Sequence, residues 1–387
     1  MENVELLLKY NSYFCNTKNI KLSNGKIIYT NRDRIFDGNK IKQLIGWINA
    51  LNRKYPKSKI PIIFNMGQIE FVDKLTYVFF EILCYILMKE YKHKVIVHFS
   101  TQPNIFTEGI AVSPLEELFS QDKTQAAKFF RRFDDEIYLN HYRRILHRTN
   151  NNVELSKKMD EITYFFSFFD IEETYLDELA EVFAELIGNA WEHASNECLV
   201  DIDVTKLYQK RQAEGQYLGI NIAVLNFSNE LLGNAIKERL TSDNDLLPER
   251  YEQVRKAYEN HKKFMDGSYL EEDFFNIAAF QHKVSGRKDK ILTGGTGLTK
   301  LIASLENRSD AHNCYFITGN RGLVFKHEYL GYNDDGWIGF NKENNFFSKS
   351  PDINNICQNA IFMPGTAYNL NFVIKRREQK WISTQYD

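Results

Sequence analysis

The chain has 387 residues with 49 basic and 51 acidic side chains, a net charge of −2, and it is 43% hydrophobic and 14% aromatic. Such a balance gives no bulk attraction to nucleic acid or to an anionic membrane, and 20 glycines and 7 prolines, well under the usual share of about 12%, exclude collagen-like and low-complexity chains. At about 150 residues per domain the length implies two or three domains.

The opening Met1-Glu2-Asn3 lacks the basic start of a secretory signal. Cys15, Cys84, Cys198, Cys314 and Cys357 are scattered, and no two have C-x-x-C spacing. Neither a disulfide framework nor a zinc site is indicated, and a reducing, cytoplasmic compartment is expected. Ile20–Leu22 and Lys26–Thr30 flank Ser23-Asn24-Gly25, a strong hairpin signal. Ile60–Phe64 reads as a buried strand, Phe71–Tyr91 as a long helix and Lys94–Phe99 as a second strand. Strand, helix and strand in this order predict a parallel βαβ unit. The apolar run Leu75–Met88, interrupted by Glu81, is too short for a bilayer and fits a core helix.

Residues 113–176 are helical in pattern, and the basic run within Asp134–His147 reads as a solvated helix face. A periodic helix follows at Tyr175–His193, then strands at Cys198–Val204 and Tyr217–Leu225. Residues 230–290 are polar and helical. Glycine-rich 294–297 opens another helix. Strands at Cys314–Thr318 and Leu323–Phe325 should face each other across Gly319-Asn320-Arg321-Gly322, and a last strand covers Tyr368–Ile374. The fold class is α/β, with a sandwich of roughly 200 residues after a smaller α/β domain.

Three segments carry candidate chemistry. On the helix before His193, Leu179, Val182, Phe183, Leu186 and Ala190 form one apolar stripe. Glu185 and Asn189 lie four apart at its edge, and His193 continues their row. Edge residues touching water would look the same. The run Thr293-Gly294-Gly295-Thr296-Gly297-Leu298-Thr299-Lys300 lets backbone approach a ligand, and the helix after it presents free N–H groups that suit phosphate. Its spacing fits neither a Walker A loop nor a Rossmann fingerprint, and an ordinary tight loop stays open. Pro364-Gly365-Thr366 is by itself only a turn.

Taken in order, the three segments resemble the nucleotide-binding boxes of the GHKL (Bergerat-fold) ATPases, over about residues 160–376. Glu185-Leu186-Ile187-Gly188-Asn189-Ala190-Trp191-Glu192-His193-Ala194 resembles the N box, Gly294–Leu298 the glycine box and Gly365-Thr366 the last box. The E-x-x-x-N-A-x-x-H form is most similar to the anti-sigma-factor serine kinase and histidine kinase branch. The resemblance implies ATP and Mg²⁺ as cofactors. Asn189 would ligate the metal and Glu185 would be the general base. Gly294, Gly295, Thr296, Gly297 and Leu298 would cradle phosphates, with His193 nearby. Asn226 stands where the family has an adenine-reading Asp, and its amide oxygen still accepts from an amino group. Ser228 replaces a glycine beside the base, and Thr366 would assist through water. A lid would span 230–293, ending in Lys283, Arg287, Lys288 and Lys290.

Ile69-Glu70-Phe71-Val72-Asp73 before a helix resembles the STAS domain of anti-sigma-factor antagonists, with Lys74 where a phosphorylated Ser commonly stands. That implies a docking module rather than a phospho-switch. The expected organisation is 1–110 as a STAS-like interaction domain, 111–160 as a helical connector, 161–376 as the ATPase domain and 377–387 as a tail. Two functions fit: a regulatory ATPase or protein kinase, or a nucleotide-sensing interaction protein with little turnover. Either implies a regulatory protein partner and is compatible with a homodimer. His141-Tyr142 and His147-Arg148 lack the acidic neighbour of a phosphorylated histidine. The few residues after Ile374 leave no room for a topoisomerase-type transducer domain.

Overall fold

The computed structural model describes residues 1–16, 20–56, 58–100, 113–120, 122–148, 152–193, 197–208, 216–241, 247–284, 297–308 and 314–377. After a short helix α1 (Leu6–Tyr10), β1 (Lys21–Ser23) and β2 (Lys26–Thr30) form the expected antiparallel hairpin. Asn24 and Gly25 both take positive φ, 49° and 71°, the left-handed pair that this two-residue turn requires. A short strand β3 (Ile35–Phe36) leads to α2 (Gly38–Lys54), capped by Asp37, whose Oδ1 accepts from Lys40 N at 3.0 Å. Next come β4 (Ile62–Gly67), β5 (Glu70–Phe71), α3 (Lys74–Lys89) and β6 (Val95–Phe99). β2, β4 and β6 are parallel neighbours, as the βαβ reading expects.

Every residue of α3 from Lys74 to Met88 is buried. A helix apolar all round belongs in an interior layer, and α3 has a sheet on either side. The four-stranded sheet β1-β2-β4-β6 covers one side. The other side faces a second sheet, whose Leu199, Ala223, Leu225, Ile361, Met363 and Ala367 share one apolar core with α2, α3 and the small sheet. The first hundred residues are thus a layer pressed onto the rest of the chain.

After α4 (Gln125–Asp134), the stretch read as a solvated helix face proves to be two strands, β7 (Asp135–Tyr138) and β8 (His141–His147). His141, Tyr142 and Arg143 are fully buried there. Positive charge suggested solvent, and His147 is indeed exposed, but His141 and Arg143 lie between two layers, where acidic partners wait. The 111–160 segment is therefore no helical connector, because it supplies two strands to the large sheet. Helices α5 (Asn152–Phe166) and α6 (Glu173–His193) follow, then β9 (Glu197–Tyr208) and β10 (Tyr217–Asn226).

The region read as a polar lid holds α7 (Asn234–Thr241), α8 (Glu249–His261) and α9 (Glu271–Ala278), followed by α10 (Gly297–Arg308). Its Tyr251, Val254, Phe274 and Phe275 are buried in the same core as α6 and the large sheet. Trp337 and Phe346 stack at 5.4 Å, the Arg250 guanidinium lies 3.3 Å from the Trp337 ring centre, and Arg321 makes a buried two-pronged pair to Asp273 at 2.6 and 2.8 Å. The described part of this region is a packed helical layer.

β11 (Tyr315–Val324) is a single strand, not two facing each other across Gly319–Gly322. Both of its halves pair with β12 (Ile356–Lys375), and the register shifts at Gly319, whose φ is +52°. The glycines that suggested a hairpin bend one strand instead. β12 also starts well before Tyr368 and takes in Pro364-Gly365-Thr366. The large sheet runs β11-β12-β10-β9-β8-β7 and is antiparallel throughout.

Candidate functional site

The stripe on α6 is buried as read: Leu179, Val182, Phe183, Leu186 and Ala190 pack on the sheet face opposite α3. The ladder between β10 and β12 sets the polar residues beneath them. Asn226 pairs with Thr366 and Val224 with Tyr368. Successive alternate residues share a face, so these four side chains point the same way, toward α6. Leu186, Asn189 and Ala190 of α6 close over them, and Glu230, Leu231 and Leu232 form the mouth. The cavity enclosed measures about 20 Å³, room for about one water molecule.

Asn189, Asn226 and Thr366, three residues far apart in sequence, therefore line one cavity. Asn226 is 5% exposed and Thr366 9%. Gly365 stands beside them at φ +92°, and a Cβ there would meet the Asn226 carbonyl oxygen at 2.4 Å. Only glycine permits both that conformation and that approach. Thr318 of β11 fastens the arrangement: its hydroxyl donates to Gly365 O at 2.7 Å and accepts from Leu232 N at 3.3 Å. Ser228 is buried and accepts from Glu230 N at 2.8 Å, so it shapes the turn at the cavity mouth.

Glu185 sits half-buried on α6, one turn before Asn189, and does not line the cavity. Gly297 and Leu298 open α10, which packs along α6. Leu298 is buried in the same core, and Lys300 Nζ reaches Glu181 Oε2 of α6 at 2.8 Å. Gly294, Gly295 and Thr296 lie outside the described residues, as do Arg287, Lys288 and Lys290, and the side chain of His193. Lys283 is exposed.

A second polar cluster, which the sequence reading missed, lies on the other face of the same sheet. Arg143 on β8 is directly opposite Asp201 on β9, and His141 opposite Asp203. Lys74 Nζ, from the start of α3, pairs with both aspartates, and Arg143 bridges Asp201 and Glu81. His141 Nε2 lies 3.2 Å from Asp201 Oδ1, and its Nδ1 3.4 Å from Glu136 Oε2. Burial works against the imidazolium, but Asp201 and Asp203 outweigh it and push the His141 pKa up to about 9. Burial likewise opposes the Asp201 carboxylate, yet Arg143, Lys74 and His141 hold its pKa well below the usual range. His141, Asp201 and Asp203 place ligand atoms within 4.8 Å of one another, a spacing that could hold a metal ion. The Lys74 ammonium already supplies the positive charge at that point. The signal for this cluster was in the sequence: Lys74 and Glu81, two helical turns apart, are charged positions on the otherwise apolar α3 face, matched by acidic and basic pairs at i, i+2 on the strands.

No protein-family model, no curated protein and no solved structure matches the chain. All five cysteines are free. Among the described residues no helix is long and apolar enough to cross a membrane.

Proposed function

We propose that the chain is a Mg²⁺-ATP-binding regulatory protein of the GHKL class, with the base in the cavity beneath α6 and the phosphates toward the start of α10. The observation that carries this reading is the convergence of Asn189, Asn226 and Thr366 on one cavity, with Gly365 in close approach beside them. Asn189 belongs to the N box and Thr366 to the last box, and Asn226 stands at the adenine-reading position. Asn189 offers an amide oxygen, a hard donor suited to Mg²⁺, at the edge of the base pocket. The metal would neutralise phosphate charge. Glu185, one turn away on the same row, would orient water or an acceptor hydroxyl toward the γ-phosphate, a role worth about 10²–10⁴ in rate.

A reading with binding but little turnover draws support from the cavity itself. At about 20 Å³ it has room for about one water molecule, so entry of a base costs conformational work that a slow sensor tolerates better than an enzyme. The N-terminal layer would serve as a scaffold in either case: Lys74, in place of the phosphorylated Ser of STAS domains, is buried in ion pairs. A regulatory protein partner remains part of the proposal.

Two measurements test this. Calorimetry with Mg²⁺-ATP should show binding by the wild type and none by Asn189→Ala, with the fold intact by circular dichroism. Equal affinity in the two proteins removes Asn189 from the site. With γ-labelled ATP, Glu185→Gln should bind within a few-fold of wild type and release or transfer no phosphate. A wild type that binds without turnover selects the sensor.

A further inference from the structure

Tyr368 is 4% exposed, lines the cavity under α6, and its hydroxyl has no hydrogen-bond partner among the described residues. Its ring packs 5.9 Å from that of Phe316, and burial pushes its phenol pKa up, so the hydroxyl stays protonated. Buried phenols in folded proteins usually find a partner, and one left without is destabilising. The β10–β12 register puts Tyr368 two residues along from Thr366 and diagonal to Asn226, on the same face. Amide and hydroxyl therefore address one space.

We propose that the Tyr368 hydroxyl is a ligand contact, which with Asn226 lets the cavity accept purine nucleotides of either kind. The inference rests on the nucleotide reading above. Asn226 has a donor and an acceptor, and a phenol hydroxyl both donates and accepts. Adenine presents an amino donor beside a ring-nitrogen acceptor. Guanine presents a carbonyl acceptor beside an N–H donor. Turning the amide over and rotating the hydroxyl matches the pair to either edge, whereas a carboxylate would repel the guanine carbonyl. The same hydroxyl stands idle without ligand, so its removal should affect binding and folding in opposite directions.

The test is Tyr368→Phe, which keeps the ring and its packing. Calorimetry with Mg²⁺-ATP and Mg²⁺-GTP is run beside thermal unfolding without nucleotide. The wild type should bind the two within about tenfold of each other. The variant should bind both about tenfold more weakly, as loss of one hydrogen bond implies, while its melting temperature holds or rises. A lower melting temperature with unchanged affinities overturns the inference, because the hydroxyl then serves the fold. So does a loss confined to one nucleotide, or a wild type that discriminates more than about 100-fold. If the wild type binds neither nucleotide, the nucleotide reading itself fails and this inference with it. If it binds and Tyr368→Phe binds equally well, only this inference fails.

Discussion

Strand β9 presents Val200 and Ile202 to α6 and Asp201 and Asp203 to α3. On the α6 side the sheet meets an apolar stripe, and the polar groups Asn189, Asn226, Thr366 and Tyr368 gather around a small cavity. They are neutral, and the Tyr368 hydroxyl has no hydrogen-bond partner among the described residues. On the α3 side there are full charges instead, and each is engaged: Lys74, Arg143 and His141 against Glu81, Asp201 and Asp203. One face is neutral around a cavity, and the other sets opposite charges against one another, with His141 Nδ1, Arg143 Nη1 and Asp203 Oδ1 still without a hydrogen-bond partner among the described residues. A ligand can compete for the first. The second joins α3 of the N-terminal layer to the sheet through opposite charges.

Breaking that junction should have the largest effect. Lys74→Met leaves Asp201 and Asp203 without their shared ammonium in a site closed to water, and a buried carboxylate stripped of its partner costs about 3–5 kcal/mol. Urea unfolding reads this as a lower midpoint. Adding Asp203→Leu to the variant should recover about 1 kcal/mol or more, the coupling expected of residues in one network. Strict additivity of the two changes would mean that the ions do not act together.

His141 comes next, and its effect depends on pH. Its folded pKa, about 9, lies above the ordinary 6.5. A raised pKa means that the imidazolium stabilises the fold fully below pH 6.5, and that this contribution fades as pH rises through 9. The groups facing it are Asp201, Asp203 and Glu136, with Lys74 and Arg143 beyond. The displacement corresponds to about 3 kcal/mol. Unfolding free energies of wild type and His141→Gln should therefore differ most near pH 6 and converge by about pH 10. A difference independent of pH would show that the histidine acts by shape alone.

How much of this was legible depended on which neighbour a residue has. The Asn-Gly hairpin, α3, the βαβ order and the α6 stripe follow from local periodicity and turn chemistry, and the structure places them as read. Strands β7 and β8 did not, because Arg143-Arg144 and His147-Arg148 look like a solvated face until Asp201 is known to lie across from Arg143. The alternation Val200-Asp201-Ile202-Asp203 likewise reads as apolar in and charged out, and only the layer of α3 makes both sides inside. Around the cavity, Asn189, Asn226 and Thr366 were found by their boxes. Tyr368 was missed because in sequence it is merely an aromatic in a strand.

Gly365 sharpens the cavity side of the comparison against an ordinary turn. At Gly25, φ is +71° and a Cβ would meet nothing within 4 Å; at Gly365, φ is +92° and a Cβ would meet Asn226 O at 2.4 Å. Gly25→Ala should cost about 1 kcal/mol, from backbone strain alone. Gly365→Ala adds a clash that pushes Asn226 away, for about 1–3 kcal/mol, and should lower Mg²⁺-ATP affinity, which Gly25→Ala leaves unchanged. Equal affinities in the two variants would detach Gly365 from the site.

The smallest effect belongs to a lysine that resembles Lys74 only on paper. Lys300 Nζ lies 2.8 Å from Glu181 Oε2, within hydrogen-bond distance, but the two side chains are 52% and 55% exposed. Water and salt screen such a pair, and holding two long side chains in one geometry costs entropy, so exposed pairs contribute about 0–1 kcal/mol. Lys300→Met should therefore change the unfolding free energy by under about 0.5 kcal/mol at 0.15 M salt, where Lys74→Met costs several. Length and charge are the same in the two substitutions, and only the surroundings differ. If Lys300→Met destabilised the protein as much as Lys74→Met, burial would not be what gives the α3 cluster its strength. The contrast between the two faces of the sheet would then lose its physical basis.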